Sequence, residues 1–352
     1  MKMAASPEPK YSPSEPQRRG RYTRAAYTAT AVSNMASAAP ALALTPPKLR
    51  LLGYLAQCRL LSLPQLARLA CPSQKSARRH LRALFDAGLV DVIATSRVAL
   101  AALAEPDAPN DETLLYGSAP NLYVPTRAGL NLLFAAGLID KAVRDRPLPS
   151  YGPRNSLFLG HELAIRDVRV WLEQCTAVHG GEHRVERWED GAEAVMDVSG
   201  EQSAKRYKQV VRPDAWFVYR LRPVPKPLVL VGLVEADQGT ERGLTRWSEK
   251  LVAYAALFSS GRLSQITGYN QARVLVLAPN ARRRDALAAL IGAQTQEQHL
   301  DLSLPGRFFV AERGPLMAQP DLCAPVWRRP GNVSLVPLVP TDLLAAPLPP
   351  AP

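Results

Sequence analysis

Three carboxylates in the second half of the chain have the types and spacing to hold a hard divalent cation. Asp214 follows Pro213 at the head of a strand-like run, and Glu235 and Asp237 alternate at the end of the apolar run Leu228–Ala236. A period of two puts Glu235 and Asp237 on one face of a strand. Carboxylates converging from neighbouring strands suit Mg²⁺ or Mn²⁺, which take a few oxygen ligands and keep waters for attack on a phosphodiester. Structural roles compete at two of these positions: Asp214 suits a turn after Pro213, and Asp237 suits the N-cap of a helix beginning near Thr240. Glu235 has no such alternative, because a carboxylate inside an apolar strand is costly unless a cation or donors meet it.

A second set of residues has different chemistry. Gln74, Lys75, Arg78, Arg79 and Arg82 lie in a segment where Ala77, Leu81 and Leu84 recur at i, i+4 and i+7. That spacing makes a helix with one apolar stripe and a basic, amide-bearing opposite face. Arg and Lys pair with phosphates and guanine edges and Gln with adenine, so this face suits the major groove of double-stranded DNA. A solvated basic face is the competing reading.

The elements that must position this face are legible nearby. Apolar residues at helical spacing run from Leu49 to Cys58, and Leu63–Ala70 makes a short second helix with Ser62 as N-cap and Pro64 in its first turn. The basic helix starts after Pro72, with Ser73 as cap, and stops at Gly88. Leu89–Ile93 then reads as a strand, so the segment is a helix-turn-helix leading into a strand. In the second half the expected order is a helix over Leu157–Cys175, strands over His183–Trp188, Ala215–Leu221 and Leu228–Ala236, a helix from Glu241 to Phe258, and a strand over Arg273–Leu277. A helix over Arg282–Ile291 and a strand at Phe308–Val310 follow. The wholly apolar run at 228–236 marks the buried centre of a sheet. Glu162 has Arg166 at i+4 and suits a surface ion pair. His161 suits packing or hydrogen bonding better than proton transfer, and His179 and His183 are split by Gly180-Gly181 and share no helical face.

Charge divides the chain the same way. Of the net charge of +12 over 352 residues, a net +10 lies in the first 91 positions, which points to a polyanionic partner for the N-terminal quarter. Residues 1–45 are rich in Ala, Ser, Pro and Thr, carry Arg18, Arg19, Arg21 and Arg24, and predict a disordered basic arm. Seven prolines from Pro330 to Pro352 predict a loosely packed tail over 316–352, with docking of Leu335, Val336, Leu338 and Val339 as the alternative. No apolar run is long enough for a membrane span, the N-terminus lacks the apolar stretch of a secretory signal, and the four cysteines are scattered. A cytoplasmic protein with buried thiols and no zinc site is the expectation.

Residues 73–90, Ser-Gln-Lys-Ser-Ala-Arg-Arg-His-Leu-Arg-Ala-Leu-Phe-Asp-Ala-Gly-Leu-Val, resemble the recognition helix and wing start of bacterial winged-helix regulators. The resemblance implies a wing partner strand at Asn121–Thr126, a helix over Arg127–Ala136, and a long acidic wing insertion at 94–120. The αβββαβ order with its carboxylates resembles the PD-(D/E)XK nuclease fold. Together with Arg212-Pro213-Asp214-Ala215, Glu235-Ala236-Asp237-Gln238-Gly239-Thr240-Glu241, Lys250 and Tyr254, the chain resembles the plasmid replication-relaxation family of bacterial mobile elements over about residues 45–315. The implied fold is α+β, with a winged helix-turn-helix at 46–146 and a restriction-endonuclease-like domain at 154–315. The implied role is DNA processing in plasmid replication or mobilisation, with other replication or transfer proteins and a homodimer as open partnerships. Where the nuclease pattern has a lysine two positions after the strand carboxylate, this chain has Asp237. Lys250, in the following helix and on a stripe with Arg242 and Arg246, is the substitute that the resemblance offers. A metal-dependent endonuclease or nickase and a non-catalytic replication accessory factor or transcriptional regulator both fit.

Overall fold

The computed structural model describes residues 42–93, 121–148, 156–180, 183–202, 205–207, 209–222, 228–238 and 244–345. The expected basic arm up to residue 41, the insertion at 94–120 and the chain beyond 345 lie outside the described residues.

Three helices begin the fold: α1 (Pro46–Cys58), then, after the two-residue strand β1 (Leu61–Ser62), α2 (Leu63–Ala70) and α3 (Gln74–Asp86). Ser62 caps α2 in a reciprocal box with Gln65, and the Ser73 hydroxyl accepts from the Ser76 amide to cap α3. At the far end of α3, Gly88 has φ +72, the Leu89 amide donates to the Leu84 carbonyl and the Gly88 amide to that of Phe85. This left-handed glycine closure stops the helix where the sequence predicts it. Strands β2 (Val90–Ile93) and β3 (Leu122–Pro125) pair antiparallel, and β1 joins the other edge of β3. Helices α4 (Arg127–Ala135) and α5 (Lys141–Asp145) follow. Gly129 of α4 lies so close to the Leu89 carbonyl that a Cβ there would stand 2.2 Å from the oxygen.

The second half opens with the long helix α6 (Ser156–His179) and strand β4 (Arg184–Asp190). Short strands β5 (Met196–Asp197), β6 (Gly200–Gln202), β7 (Lys205–Tyr207) and β8 (Val210–Val211) make two small antiparallel pairs that the sequence reading did not anticipate. Then come β9 (Ala215–Arg222), β10 (Leu228–Ala236), α7 (Leu244–Ser259), α8 (Arg262–Thr267), β11 (Arg273–Ala278), α9 (Ala281–Glu297) and β12 (Phe308–Glu312). The chain continues through α10 (Arg313–Ala318), β13 (Trp327–Arg328), β14 (Leu335–Val336) and α11 (Thr341–Ala345). One sheet runs β14-β13-β12-β11-β10-β9-β4, with β10, β11 and β12 parallel and the flanking pairs antiparallel. The molecule is thus α+β with a mixed sheet, and the expected helix, three strands, helix and strand occur in that order as α6, β4, β9, β10, α7 and β11.

β10 is central and buried on both sides, as its apolar run requires. Leu230, Val234 and Ala236 share a core with α6, whereas Val231 and Leu233 share another with Trp247 and Leu251 of α7 and Leu287 and Ile291 of α9. The proline-rich tail, up to residue 345, takes the docked arrangement and not the loose one. Residues 316–345 are built into the fold: β13 and β14 extend the sheet, and Trp327, Leu338 and Val339 are at most 2 % exposed. Burial of a few large apolar side chains outweighs the local effect of the prolines.

The first core also crosses the linker between the two halves. Leu51, Leu55 and Leu66 belong to the cluster that includes Val168, Trp171 and Leu172 of α6. Above it, Gln65 donates to the Leu163 carbonyl (3.0 Å) and to Asp167 Oδ1 (2.8 Å), and Arg313 Nε donates to Asp167 Oδ2 (2.6 Å). Gln65 and Asp167 are buried, so this bridge ties α2, α6 and α10 together in low dielectric.

Candidate functional site

The carboxylates gather where β9 starts and β10 ends. The Asp214 amide donates to the Val234 carbonyl, and its Oδ2 accepts from the Ala236 amide at 2.7 Å. Its Oδ1 lies 3.0 Å from Nε2 of His161, one and a half turns into α6. The hydrogen bond that His161 donates to Asp214, with the negative charge of that carboxylate, raises the His161 imidazole above its usual range against the opposing effect of burial.

Glu235, 2 % exposed, meets two donors from one face of α7. Lys250 Nζ is 2.7 Å from Oε2 and Tyr254 Oη is 2.6 Å from Oε1. Lys250 and Tyr254 are four residues apart, so both project from the same helix side. Burial pushes the Glu235 carboxyl up to about 7, the Lys250 ammonium opposes this, and the Asp214 charge adds to it. Burial and the adjacent Glu235 carboxylate push the Tyr254 hydroxyl upward. Lys250 also stands 5.2 Å over the Trp247 ring, which steadies its charge from the same helix.

Asp237 takes a different partner. Arg283, in the first turn of α9, donates to both of its oxygens at 2.8 Å, and the Asp237 side chain is 4 % exposed. The period-two alternation still holds, since α7 and α9 cover the same sheet face, but each carboxylate is drawn to its own helix. Asp214, Glu235 and Lys250 are therefore brought together with His161 and Tyr254, and Asp237 is bound to Arg283 instead. Lys250 reaches the strand carboxylate despite its position well inside α7, because that helix packs directly over the end of β10. Arg283 has one signal in the sequence, a run of three arginines, Arg282–Arg284, one residue beyond the N-cap Asn280 and after the strand parallel to β10.

Each carboxylate is thus satisfied by organic cations, hydroxyl or amide donors of the chain itself. Among the described residues no group of three or more His, Cys, Asp or Glu side chains is arranged to hold a metal ion. As they stand, these side chains do not fit a divalent cation.

On α3, Ala77, Leu81 and Leu84 are fully buried, whereas Gln74, Lys75, Arg78 and Arg79 are exposed. Arg82 is partly withdrawn: its Nε pairs with Asp86 at 2.9 Å and its guanidinium lies 5.7 Å over the Phe85 ring. No helix among the described residues is long and apolar enough to cross a membrane.

Comparison with curated proteins and with solved structures finds no match. The sequence model of the replication-relaxation family matches residues 52–272, which run from within α1 to the residue before β11 and include α3, Asp214, Glu235, Asp237 and Lys250. That match covers more than half the chain, so the protein belongs to the replication-relaxation family, which suggests a role in plasmid or mobile-element replication.

Proposed function

We propose that the protein binds double-stranded DNA during replication or mobilisation of a plasmid or other mobile element, using residues 46–146 as a winged helix-turn-helix with α3 as its recognition helix. The observation that carries this reading is the division of α3 into a fully buried apolar stripe and an exposed face of Gln74, Lys75, Arg78 and Arg79. Such a face releases counterions from the duplex and offers planar guanidiniums and an amide to base edges. Three features support it: the helix pair before α3, whose second member is capped by Ser62, the antiparallel β2–β3 pair after it, and the net positive charge of the first 91 residues. In this reading the second domain is nuclease-like in architecture, and its strand-end network of His161, Asp214, Glu235, Lys250 and Tyr254 holds the domain together. Fluorescence anisotropy with labelled duplex over a salt series tests it. Log affinity should fall linearly with log salt for the wild type, with a shallower slope and weaker binding in Arg78→Ala/Arg79→Ala. Equal binding by that variant would remove α3 from the interface.

A second reading, a metal-dependent endonuclease or nickase, is favoured by the αβββαβ order and by Asp214, Glu235 and Lys250 meeting at adjacent strand ends, and it requires His161 and Lys250 to give up those two carboxylates to the cation. Supercoiled plasmid incubated with the protein and Mg²⁺ or Mn²⁺ decides between the two. Nicking that is lost in Asp214→Asn supports the enzyme, and intact plasmid under both metals supports the binding protein.

A further inference from the structure

We infer that the cleft between the end of α1, the start of α6 and the segment before β9 seats one unpaired DNA strand, with its phosphate at Arg59 and Arg212 and its base against Ile165, Val195 and Pro213. This rests on the DNA-binding reading and adds to it a second contact, for strand rather than duplex. The cleft holds about 650 Å³, within the roughly 300–1,000 Å³ of small-ligand sites. A sphere of that volume is about 11 Å across, room for a nucleotide of one strand but not for a double helix, which is wider than its own roughly 12 Å major groove.

The charges around the cleft are unevenly committed. Its acids are all paired: Asp190 and Glu162 with Arg166, and Asp214 with His161. Arg59 and Arg212 have no acidic partner among the described residues. Arg59 spends one nitrogen on the Pro147 carbonyl at 2.9 Å, and its buried Nε has no partner. Arg166, 3 % exposed, lines the same cleft with its own Nε unpartnered. The backbone at Arg59 points the same way. It has φ +67 immediately after α1, a conformation that is costly for a non-glycine residue and persists where the surrounding structure holds it. Two guanidiniums with free donors beside an apolar wall match the two halves of a nucleotide, because the planar fork binds phosphate oxygens and the wall accepts the face of a base.

The test uses the full chain and two labelled probes, a blunt duplex and the same duplex with a single-stranded tail. The wild type should bind the tailed probe about tenfold more tightly. Arg59→Ala/Arg212→Ala should lose that preference and keep its blunt-duplex affinity, and Val195→Trp, which fills the cleft with both arginines present, should do the same. Arg78→Ala/Arg79→Ala should weaken both probes together and preserve their ratio. Equal wild-type affinity for the two probes, or a preference that survives both cleft variants, overturns the inference while leaving the α3 reading intact. Loss of blunt-duplex binding in the cleft variants, with unchanged circular dichroism, also overturns it, since the cleft would then be a duplex contact. A tail preference in a protein insensitive to the α3 substitutions supports the cleft and removes α3.

Discussion

The helix α3 and the strand-end network use charge in opposite ways. Lys75, Arg78 and Arg79 stand in water on a helix whose other side is fully buried, whereas Glu235 and the Asp237 side chain are only 2 % and 4 % exposed. A solvated cation costs little to maintain, acts over a screening length of about 8–10 Å, and remains free to displace counterions from a polyanion. A buried carboxylate has lost hydration worth several kcal/mol and persists only beside a matched donor. Here the chain supplies that donor from Lys250, Tyr254 and Arg283. The difference teaches that exposed charge is held ready for a partner, while buried charge is already spent on holding helices to the sheet.

The sharpest way to break this contrast is to strip a buried acid of its cation. Arg283→Met should cost about 3 kcal/mol or more in urea unfolding, because it leaves Asp237 buried without its bidentate partner; a loss within the scatter of surface substitutions would mean that the pair is not structural. The pH dependence of Glu235 comes next. Its folded carboxyl is raised from 4.5 to about 7, so its contribution to stability is complete below 4.5 and is lost as pH rises through about 7. The full span corresponds to on the order of 3 kcal/mol. Glu235→Gln should flatten the decline between pH 4.5 and 7, read as unfolding midpoints across that range. At the exposed pole, Arg78→Ala/Arg79→Ala should weaken duplex binding by about 2–3 kcal/mol, reduce the salt slope by about two, and change stability by less than about 0.5 kcal/mol. The smallest effect belongs to His161. Its imidazole is raised by Asp214, so the stability it adds is complete below 6.5 and fades as pH climbs through its higher folded value. His161→Asn should remove that dependence at a cost below about 1 kcal/mol, since the pair is partly solvated.

Much of the architecture was legible in the residues. The Ser62 and Ser73 caps, the Gly88 stop, the apolar strand Leu228–Ala236 and the split faces of α3 all follow from local patterns, and each occupies its predicted place. The small pairs β5–β8 and β6–β7 were not legible, nor were two larger features. Prolines in 330–352 signal a loose tail, yet Trp327, Leu338 and Val339 find cover only because the edge of the sheet is there to receive them. The period of two likewise puts Glu235 and Asp237 on one face without saying which helix each will meet.

By itself, the sequence determined the principal helices and strands and their order, the net positive charge of the first 91 residues and the presence of a costly acid in a buried strand, because caps, periodicity and charge act over a few residues. Only the tertiary structure decided what neutralises that acid. Lys250 is fifteen residues from Glu235 and Arg283 is forty-six from Asp237, and such separations close only when α7 and α9 pack across the sheet. It also brought Arg59 of the first half beside Arg212 of the second, because the shared core of α1, α2 and α6 sets the two halves together.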